Sequence, residues 1–134
     1  HCAGVENSLL RSVWPYPRSS PDFARPGSHV AEWGPWVNSA SLCREFLPSL
    51  ASVRLSELVQ VLGLQVELDR QAALWCPPSR ACYHAALYDA LAGALVLCHL
   101  AGLEQVRSLS LPRLIALSAQ DASRRDDLQQ GSLF

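Results

Sequence analysis

Residues 83–100, YHAALYDALAGALVLCHL, place one carboxylate, Asp89, in a helical sequence that is apolar on nearly every face. Burying an unpaired ionised carboxylate costs several kcal/mol, so Asp89 must be neutralised, paired with a base or bound to a metal. No Arg lies three or four residues away, which removes a salt bridge on the helix surface as the explanation. The pattern favours a metal ligand over a structural acid.

A second group with useful chemistry, His84, lies five residues before Asp89. Five residues of α-helix separate two side chains by about 140°, which is a poor shared face. We therefore expect His84 on the loop just before the helix and only Asp89 inside it. An imidazole in that place suits proton transfer, because histidine titrates near neutral pH.

These residues carry a family resemblance. His84–Ala90, HAALYDA, resembles the third motif of the DEDDh 3′–5′ exonucleases, the RNase H-like family that includes the epsilon proofreading subunit of bacterial DNA polymerase III. The first ten residues, HCAGVENSLL, resemble that family's second motif, usually H-N-A-x-F-D followed by a helix. Two segments between these motifs also resemble the family. WVNSASLCREFLPSL resembles its Asp-Thr strand end with the following helix, and RLSELVQVLGL resembles its leucine-rich helix ending in Leu-Gly. The resemblance covers residues 1–103.

The resemblance implies an α/β fold. This chain is then the C-terminal, mostly helical portion of an RNase H-like exonuclease domain, with the main β-sheet largely missing. The family's first motif, Asp-x-Glu, has no counterpart, so we expect a fragment that lacks two of the four ligand carboxylates. Glu6 stands where the family has Asp and is one methylene longer. Asn38-Ser39 replaces Asp-Thr, which we expect to change helix capping rather than chemistry.

The implied activity is metal-dependent release of nucleotides from the 3′ end of a nucleic acid, with single-stranded DNA as the expected substrate. Two Mg²⁺ or Mn²⁺ ions about 4 Å apart would clamp the scissile phosphate, since these ions prefer oxygen ligands. Asp89 and Glu6 are the implied metal ligands and His84 the implied general base. The 134-residue chain alone is expected to be inactive. The alternative is a non-catalytic nucleic-acid or protein-binding module, in which Glu6 marks lost catalysis.

The composition limits the other classes of protein to which the chain could belong. With 134 residues, 49% hydrophobic and 17% charged, the chain is one globular domain at most. A net charge of −1 gives no basic field for long-range capture of nucleic acid. The longest apolar run is too short for a membrane span, and the first residues lack the features of a signal peptide. We predict a cytoplasmic protein with no membrane partner.

The cysteines offer weaker alternatives. Their number is five, with no CxxC pair, which indicates reduced thiols. A zinc site built from Cys76, Cys82 and His84 is the first alternative, but its spacing is longer than usual. Cysteine–histidine nucleophilic catalysis is the second, and no local signature supports it.

The elements that must position the site follow from spacing and breakers. We predict helices at 6–13 and 37–47, and another that Ser52 caps and Gly63 ends. These helices are followed by a polar connection over 65–80, by the helix that carries Asp89 and by a last helix with Pro112 near its start. For residues 14–37 we predict a long ordered loop whose aromatic side chains pack on the edge of the core. The alternative role for these aromatic side chains is a base-stacking surface. Its aromatic residues are Trp14, Tyr16, Phe23, Trp33 and Trp36.

Residues 1–119 are thus assigned to the exonuclease domain and residues 120–134 to a polar linker and tail. The chain ends QGSLF, which resembles the peptide by which bacterial polymerases dock on the sliding clamp, usually Gln-Leu-Ser/Asp-Leu-Phe. Gln130, Leu133 and Phe134 are the matching residues, and Gly131 departs from the pattern. A frayed or back-packed tail is the alternative.

Overall fold

A computed structural model of the chain describes residues 9–10, 12–14, 19–21, 26–30 and 36–118. This part of the chain is mostly helical. The helices are α1 (Ser39–Phe46), α2 (Leu55–Val61), α3 (Gln65–Trp75), α4 (Ala86–Gly102), α5 (Glu104–Arg107) and α6 (Leu111–Leu117), with a 3₁₀ turn at Pro78–Arg80. Two short strands, β1 (Ser20–Pro21) and β2 (His29–Val30), pair antiparallel, with Ser20 opposite Val30.

The chain forms two compact units. The first comprises Cys43–Ser108, and the second comprises the described residues on either side of that segment. Within the first unit, α4 packs against α2, α3 and α5, so it is the central helix of that unit. The candidate catalytic residues His84 and Asp89 both belong to this unit.

The buried face of α4 repeats every fourth residue. Tyr88, Ala92, Val96 and Leu100 are all buried, as an i, i+4 stripe requires. The opposite face is open to solvent, where Leu87 is 46% exposed. Helix α4 is therefore not buried on every side, although its sequence is almost entirely apolar. Many of the residues on its exposed face are alanines.

The helix that precedes the connection, α2, ends as the sequence predicts. Gly63 has a φ of 67°, and its N–H donates to the carbonyl of Gln60. The N–H of Leu64 donates to the carbonyl of Val59 at 2.8 Å, which completes a Schellman motif. The predicted cap at the other end is wrong. Arg54 precedes the first helical residue, and the Ser52 hydroxyl accepts only from the Arg54 N–H.

The prediction of a polar connection over residues 65–80 is wrong, because most of it is helix α3. Leu68 and Ala72 lie four residues apart and are buried. The polar residues between them stabilise the helix rather than break it, through hydrogen bonds between side chains one turn apart. Arg70, for example, donates two hydrogen bonds to the Glu67 carboxylate, at 2.6 and 2.8 Å.

In the second unit, polar side chains cap two helices. The Asn38 carboxamide is buried and accepts from the Ala40 N–H at 3.1 Å, so the predicted capping role of this position is confirmed. The hydroxyl of Ser110 accepts from the Arg113 N–H and starts α6. Proline at the second position of α6 confirms the predicted last helix.

The chain before α1 is described in pieces. Residues 9–10 and 12–13 are helical, which agrees with the end of the helix predicted over 6–13. Within 14–37, predicted as a loop, the β1–β2 pair is the regular structure that is described. Trp14 is 58% exposed and Trp36 is half-buried. Tyr16, Phe23 and Trp33 lie outside the described residues. No helix in the described ranges is both long and apolar enough to cross a bilayer.

Candidate functional site

His84 occupies a strained turn immediately before α4. The Ala85 N–H donates to the Cys82 carbonyl at 3.2 Å, closing a four-residue turn. His84 is the third residue of that turn and has a φ of 71°, whereas the φ of Tyr83 is negative. This is the pattern of a type II turn, whose third position favours Gly or Asn. A histidine there costs about 1–2 kcal/mol, because its Cβ crowds the following carbonyl.

Asp89 lies in the first turn of α4, and its side chain contacts the turn that contains His84. Its Oδ1 atom accepts a hydrogen bond from the His84 N–H at 3.2 Å. The residue at the cap position, Ala85, has no side chain able to do this. A carboxylate in the first helical turn is also stabilised by the helix dipole, typically by about 0.3–1 kcal/mol.

The structure therefore places His84 and Asp89 as the sequence predicts, one on the loop and one inside the helix. The premise of a fully buried carboxylate was wrong, since Asp89 is half-buried and has a hydrogen-bond donor. The expected desolvation cost is therefore smaller. The His84 side chain is exposed, so solvent can reach both groups.

Asp89 fits a hard cation as one ligand and no more. Its Oδ1 atom is engaged by His84, whereas its Oδ2 atom makes no hydrogen bond within the described part of the chain. Mg²⁺ or Mn²⁺ needs further oxygen ligands. Within residues 36–118 and the shorter described segments, no three His, Cys, Asp or Glu side chains come together, and this includes Cys76, Cys82 and His84. The second predicted ligand, Glu6, lies outside the described residues.

A polar network that the sequence did not reveal lies beside this turn. The Gln65 Nε2 atom donates to Asp69 Oδ1 at 2.7 Å and to the Tyr88 hydroxyl at 3.2 Å. The ring of Tyr83 meets that of Tyr88 edge-on, with centroids 5.1 Å apart and planes at 86°. The signal available in the sequence was the i, i+4 pair Gln65–Asp69, which requires that residues 65–75 be recognised as a helix.

The Tyr83 hydroxyl is buried and has no hydrogen-bond partner within the described residues. Burial raises the pKa of this phenol above its ordinary value of 10.0, and nearby Tyr88, Asp89 and Asp69 raise it further. Two of these neighbours, Asp89 and Asp69, are carboxylates. The surroundings of Tyr83 therefore carry negative rather than positive charge.

A cleft of about 410 Å³ opens next to the network. Its lining residues are Asp69, Ala72, Ala73, Cys76, Pro78, Ala81 and Tyr88. Ala72, Cys76 and Tyr88 are buried and form the floor, whereas the other lining residues are exposed and form the rim. The volume falls in the range of small-molecule sites, and the walls are mostly apolar with a few polar groups.

The four described cysteines are unpaired thiols. Cys43 and Cys76 are buried, whereas Cys82 and Cys98 are exposed. Burial raises the pKa of the Cys43 thiol, which makes it a poor nucleophile. Gln130, Leu133 and Phe134 of the predicted clamp peptide lie outside the described residues.

Comparison of the chain with protein-family models, curated proteins and solved structures gave no match. The exonuclease resemblance therefore stays a prediction from the sequence motifs.

Proposed function

We propose that this chain is part of a metal-dependent 3′–5′ exonuclease of the DEDDh type. The resemblance of HAALYDA and HCAGVENSLL to the family's motifs supports the proposal, as does the order of those motifs in the chain. In this reading the chain is the C-terminal, mostly helical portion of an RNase H-like domain in the cytoplasm. Its substrate is the 3′ end of single-stranded DNA.

The observation that carries the proposal is the strained backbone of His84. A type II turn needs glycine or asparagine at this place, and histidine raises the free energy of the folded chain. Backbone strain of this kind clusters at functional sites, which supports a task for the His84 side chain. His84 is exposed to solvent, and its backbone N–H contacts the Asp89 carboxylate.

Each residue then has a separate role. Asp89 would hold a metal ion through its unengaged Oδ2 atom, and Glu6 would be the second ligand from this chain. His84 would accept the proton of the attacking water. Bound Mg²⁺ or Mn²⁺ would supply charge stabilisation on the phosphate oxygens. The hydrogen bond from the His84 N–H fixes the Asp89 carboxylate and leaves the imidazole nitrogens available for proton transfer.

The test is a nuclease assay of the full open reading frame that contains this chain, on 5′-labelled single-stranded DNA with Mn²⁺. We expect stepwise release of nucleotides that a chelator stops and that Asp89→Asn and Glu6→Gln abolish. Glu6→Asp should retain activity, because it keeps the charge. Glu104→Gln, an exposed acid on α5, is the control and should be fully active. Activity in Asp89→Asn would refute the assignment.

His84 has its own readout. His84→Ala should lower the rate and change its pH dependence, while metal affinity changes little, because a base is not a ligand. A loss of metal affinity as large as that of Asp89→Asn would make His84 a ligand instead. The 134-residue chain by itself should release no nucleotides, and measurable degradation by it would contradict the expected need for an Asp-x-Glu motif.

One observation favours the second candidate, a non-catalytic nucleic-acid or protein-binding module. The hydrogen bond between His84 and Asp89 already gives the carboxylate a structural role without any metal. Fluorescence anisotropy of labelled single-stranded DNA with the full protein, with and without a chelator, separates the two candidates. Binding that persists without metal, together with no cleavage in Mn²⁺, would select the module.

The partner proposed for the tail is a bacterial sliding clamp. A peptide of residues 124–134 should bind the clamp at micromolar strength, equivalent to about −8 kcal/mol. Leu133 and Phe134 are the expected anchors, and replacing both by Ala should abolish binding. Titration calorimetry checks this, and absence of heat with the native peptide would remove the clamp as a partner.

A further inference from the structure

The cleft beside α3 is separate from the proposed catalytic pair, since neither His84 nor Asp89 lines it. Its floor and most of its rim are apolar, so it can enclose a hydrocarbon or aromatic body. Asp69 is the charged member of the lining. Its carboxylate accepts from Gln65 at 2.7 Å, which holds it in place on the helix.

The charged side chain in the lining is acidic, although the exposed Arg80 lies next to the lining residue Ala81 in sequence. Among the residues that line it there is no basic side chain. Arg70, which follows Asp69 in sequence, is engaged by the Glu67 carboxylate through two hydrogen bonds. Tyr83, which packs against the lining residue Tyr88, has the carboxylates of Asp89 and Asp69 nearby. An anionic ligand would meet repulsion here, whereas a cation would be attracted.

The aromatic ring in the floor adds a second preference. Tyr88 is 4% exposed and is one of the residues that line the cleft. Aromatic rings attract organic cations, and more strongly where water is excluded. An ammonium group near Asp69 and an apolar body over Tyr88 would satisfy both features together.

We propose that this cleft is a binding site for a small organic cation, with one ammonium group that pairs with Asp69 and an apolar body that fills the floor between Ala72 and Tyr88. This site is independent of the exonuclease proposal. It needs no metal, and its ligand is neither a nucleotide nor a phosphate, which the Asp69 carboxylate would repel.

The experiment uses benzylamine, which is a cation at pH 7, and benzyl alcohol, its neutral counterpart of the same shape. Both are titrated into the ¹⁵N-labelled chain, and amide shifts are followed by NMR. Benzylamine should shift the amides of Ala72, Ala73, Cys76 and Ala81 in a saturable manner. Because Asp69 is exposed, its charge should favour the amine by about 1.4- to fivefold, the range of surface ion pairs.

Two variants and a control variant make the result decisive. Asp69→Asn keeps an acceptor for Gln65 but removes the charge, so it should bind the amine and the alcohol equally. Ala73→Leu, at an exposed rim position, should weaken both probes, whereas Ala94→Leu, exposed on α4 and outside the cleft, should not. Equal binding of both probes to the unaltered chain, or shifts that map elsewhere, would overturn the proposal. None of these outcomes bears on nuclease activity.

Discussion

The backbone N–H of His84 donates a hydrogen bond to Asp89 Oδ1 across 3.2 Å, from the residue with left-handed backbone to the first turn of α4. This contact uses the main chain of one residue and the side chain of the other. It therefore fixes the carboxylate and leaves the imidazole available. Structural and chemical roles of the pair can be separated by substitution.

The charge and the hydrogen bond of Asp89 should contribute separately to stability. Asp89→Asn keeps the acceptor and loses the charge near the helix N-terminus, so it should cost about 0.3–1 kcal/mol. Asp89→Ala also leaves the His84 N–H without its partner, which should add about 1 kcal/mol. Urea unfolding followed by circular dichroism measures both. Equal losses in the two variants would mean that the hydrogen bond contributes nothing.

Relief of strain at residue 84 should stabilise the fold. His84→Gly removes the crowded Cβ at a φ of 71°, so the free energy of unfolding should rise by about 0.5–1 kcal/mol, part of the gain being offset by unfolded-state entropy. The matched control is Ala85→Gly, where the backbone is extended and glycine should destabilise. Thermal unfolding decides the matter. A destabilised His84→Gly would show that the side chain stabilises the turn.

Stability and activity should move in opposite directions at this position. If the strained histidine is retained for proton transfer, His84→Gly in the full protein should be more stable and yet slower as a nuclease. A variant that keeps the full rate would leave the strain without a catalytic reason.

The sequence predicted those elements whose breakers and spacing agree. Helix α6, with Pro112 at its second position, and the Asn38 cap both depend on local residue chemistry alone. Helix α3 was missed because its polar residues, such as Glu67 and Arg70, make it read as a linker. Their hydrogen bonds along the helix become evident only when the helical spacing is assumed.

The candidate site, too, could be predicted from the sequence only in part. The separation of His84 and Asp89 followed from the 100° rotation per helical residue, which is a local property. The left-handed φ of His84 could not be predicted, since glycine or asparagine is the usual signal for it. The cleft could not be predicted either, because it requires α3 to pack against α4.

Two glycines should respond oppositely to a methyl group. Gly63 has a φ of 67°, so Gly63→Ala should destabilise by about 1–2 kcal/mol through steric strain. Gly93 is a buried residue inside α4, and outside the nearby helix backbone no atom of the described residues lies within 4 Å of an added Cβ. Gly93→Ala should therefore stabilise by about 0.5–1 kcal/mol, the difference in helix propensity. Unfolding midpoints of both variants provide the comparison, and a destabilised Gly93→Ala would reveal a packing role for the glycine.

The Glu67 carboxylate should make stability depend on pH in the acid range. Hydrogen bonds from Arg70, and then from Gln71, lower its pKa from 4.5 to about 2 in the folded chain. A lowered folded-state pKa contributes stability that is complete above about pH 4.5 and is lost as pH falls through about 2. Solvent and salt screen this exposed group, so the effect should be small and should weaken further in 1 M NaCl.

Unfolding curves between pH 2 and 5 test the role of Glu67. Glu67→Gln should flatten the loss of stability in this window. The control Glu104→Gln should not, because Glu104 makes no ion pair within the described residues. An identical pH profile for Glu67→Gln and the unaltered chain would remove the Glu67–Arg70 pair as a source of stability.

The two tyrosines in contact should differ sharply when their hydroxyls are removed. The Tyr83 hydroxyl is buried without a partner among the described residues, so Tyr83→Phe should leave stability at pH 7 unchanged or raise it by about 1 kcal/mol. The Tyr88 hydroxyl accepts from Gln65 at 3.2 Å, so Tyr88→Phe should cost about 1 kcal/mol. The ring contact at 5.1 Å is kept in both variants, which makes each the control of the other.

The alkaline range supplies the second readout for Tyr83. Because the folded-state pKa of Tyr83 is raised above 10.0, its contribution to stability is complete below pH 10 and declines as pH rises through the folded-state pKa. The loss of stability above pH 10 should therefore be smaller in Tyr83→Phe than in the unaltered chain. Urea unfolding at pH 8 to 11 measures this slope. If Tyr83→Phe destabilises the chain at pH 7 and keeps the alkaline slope, the hydroxyl has a partner and is ionised as readily as an exposed phenol.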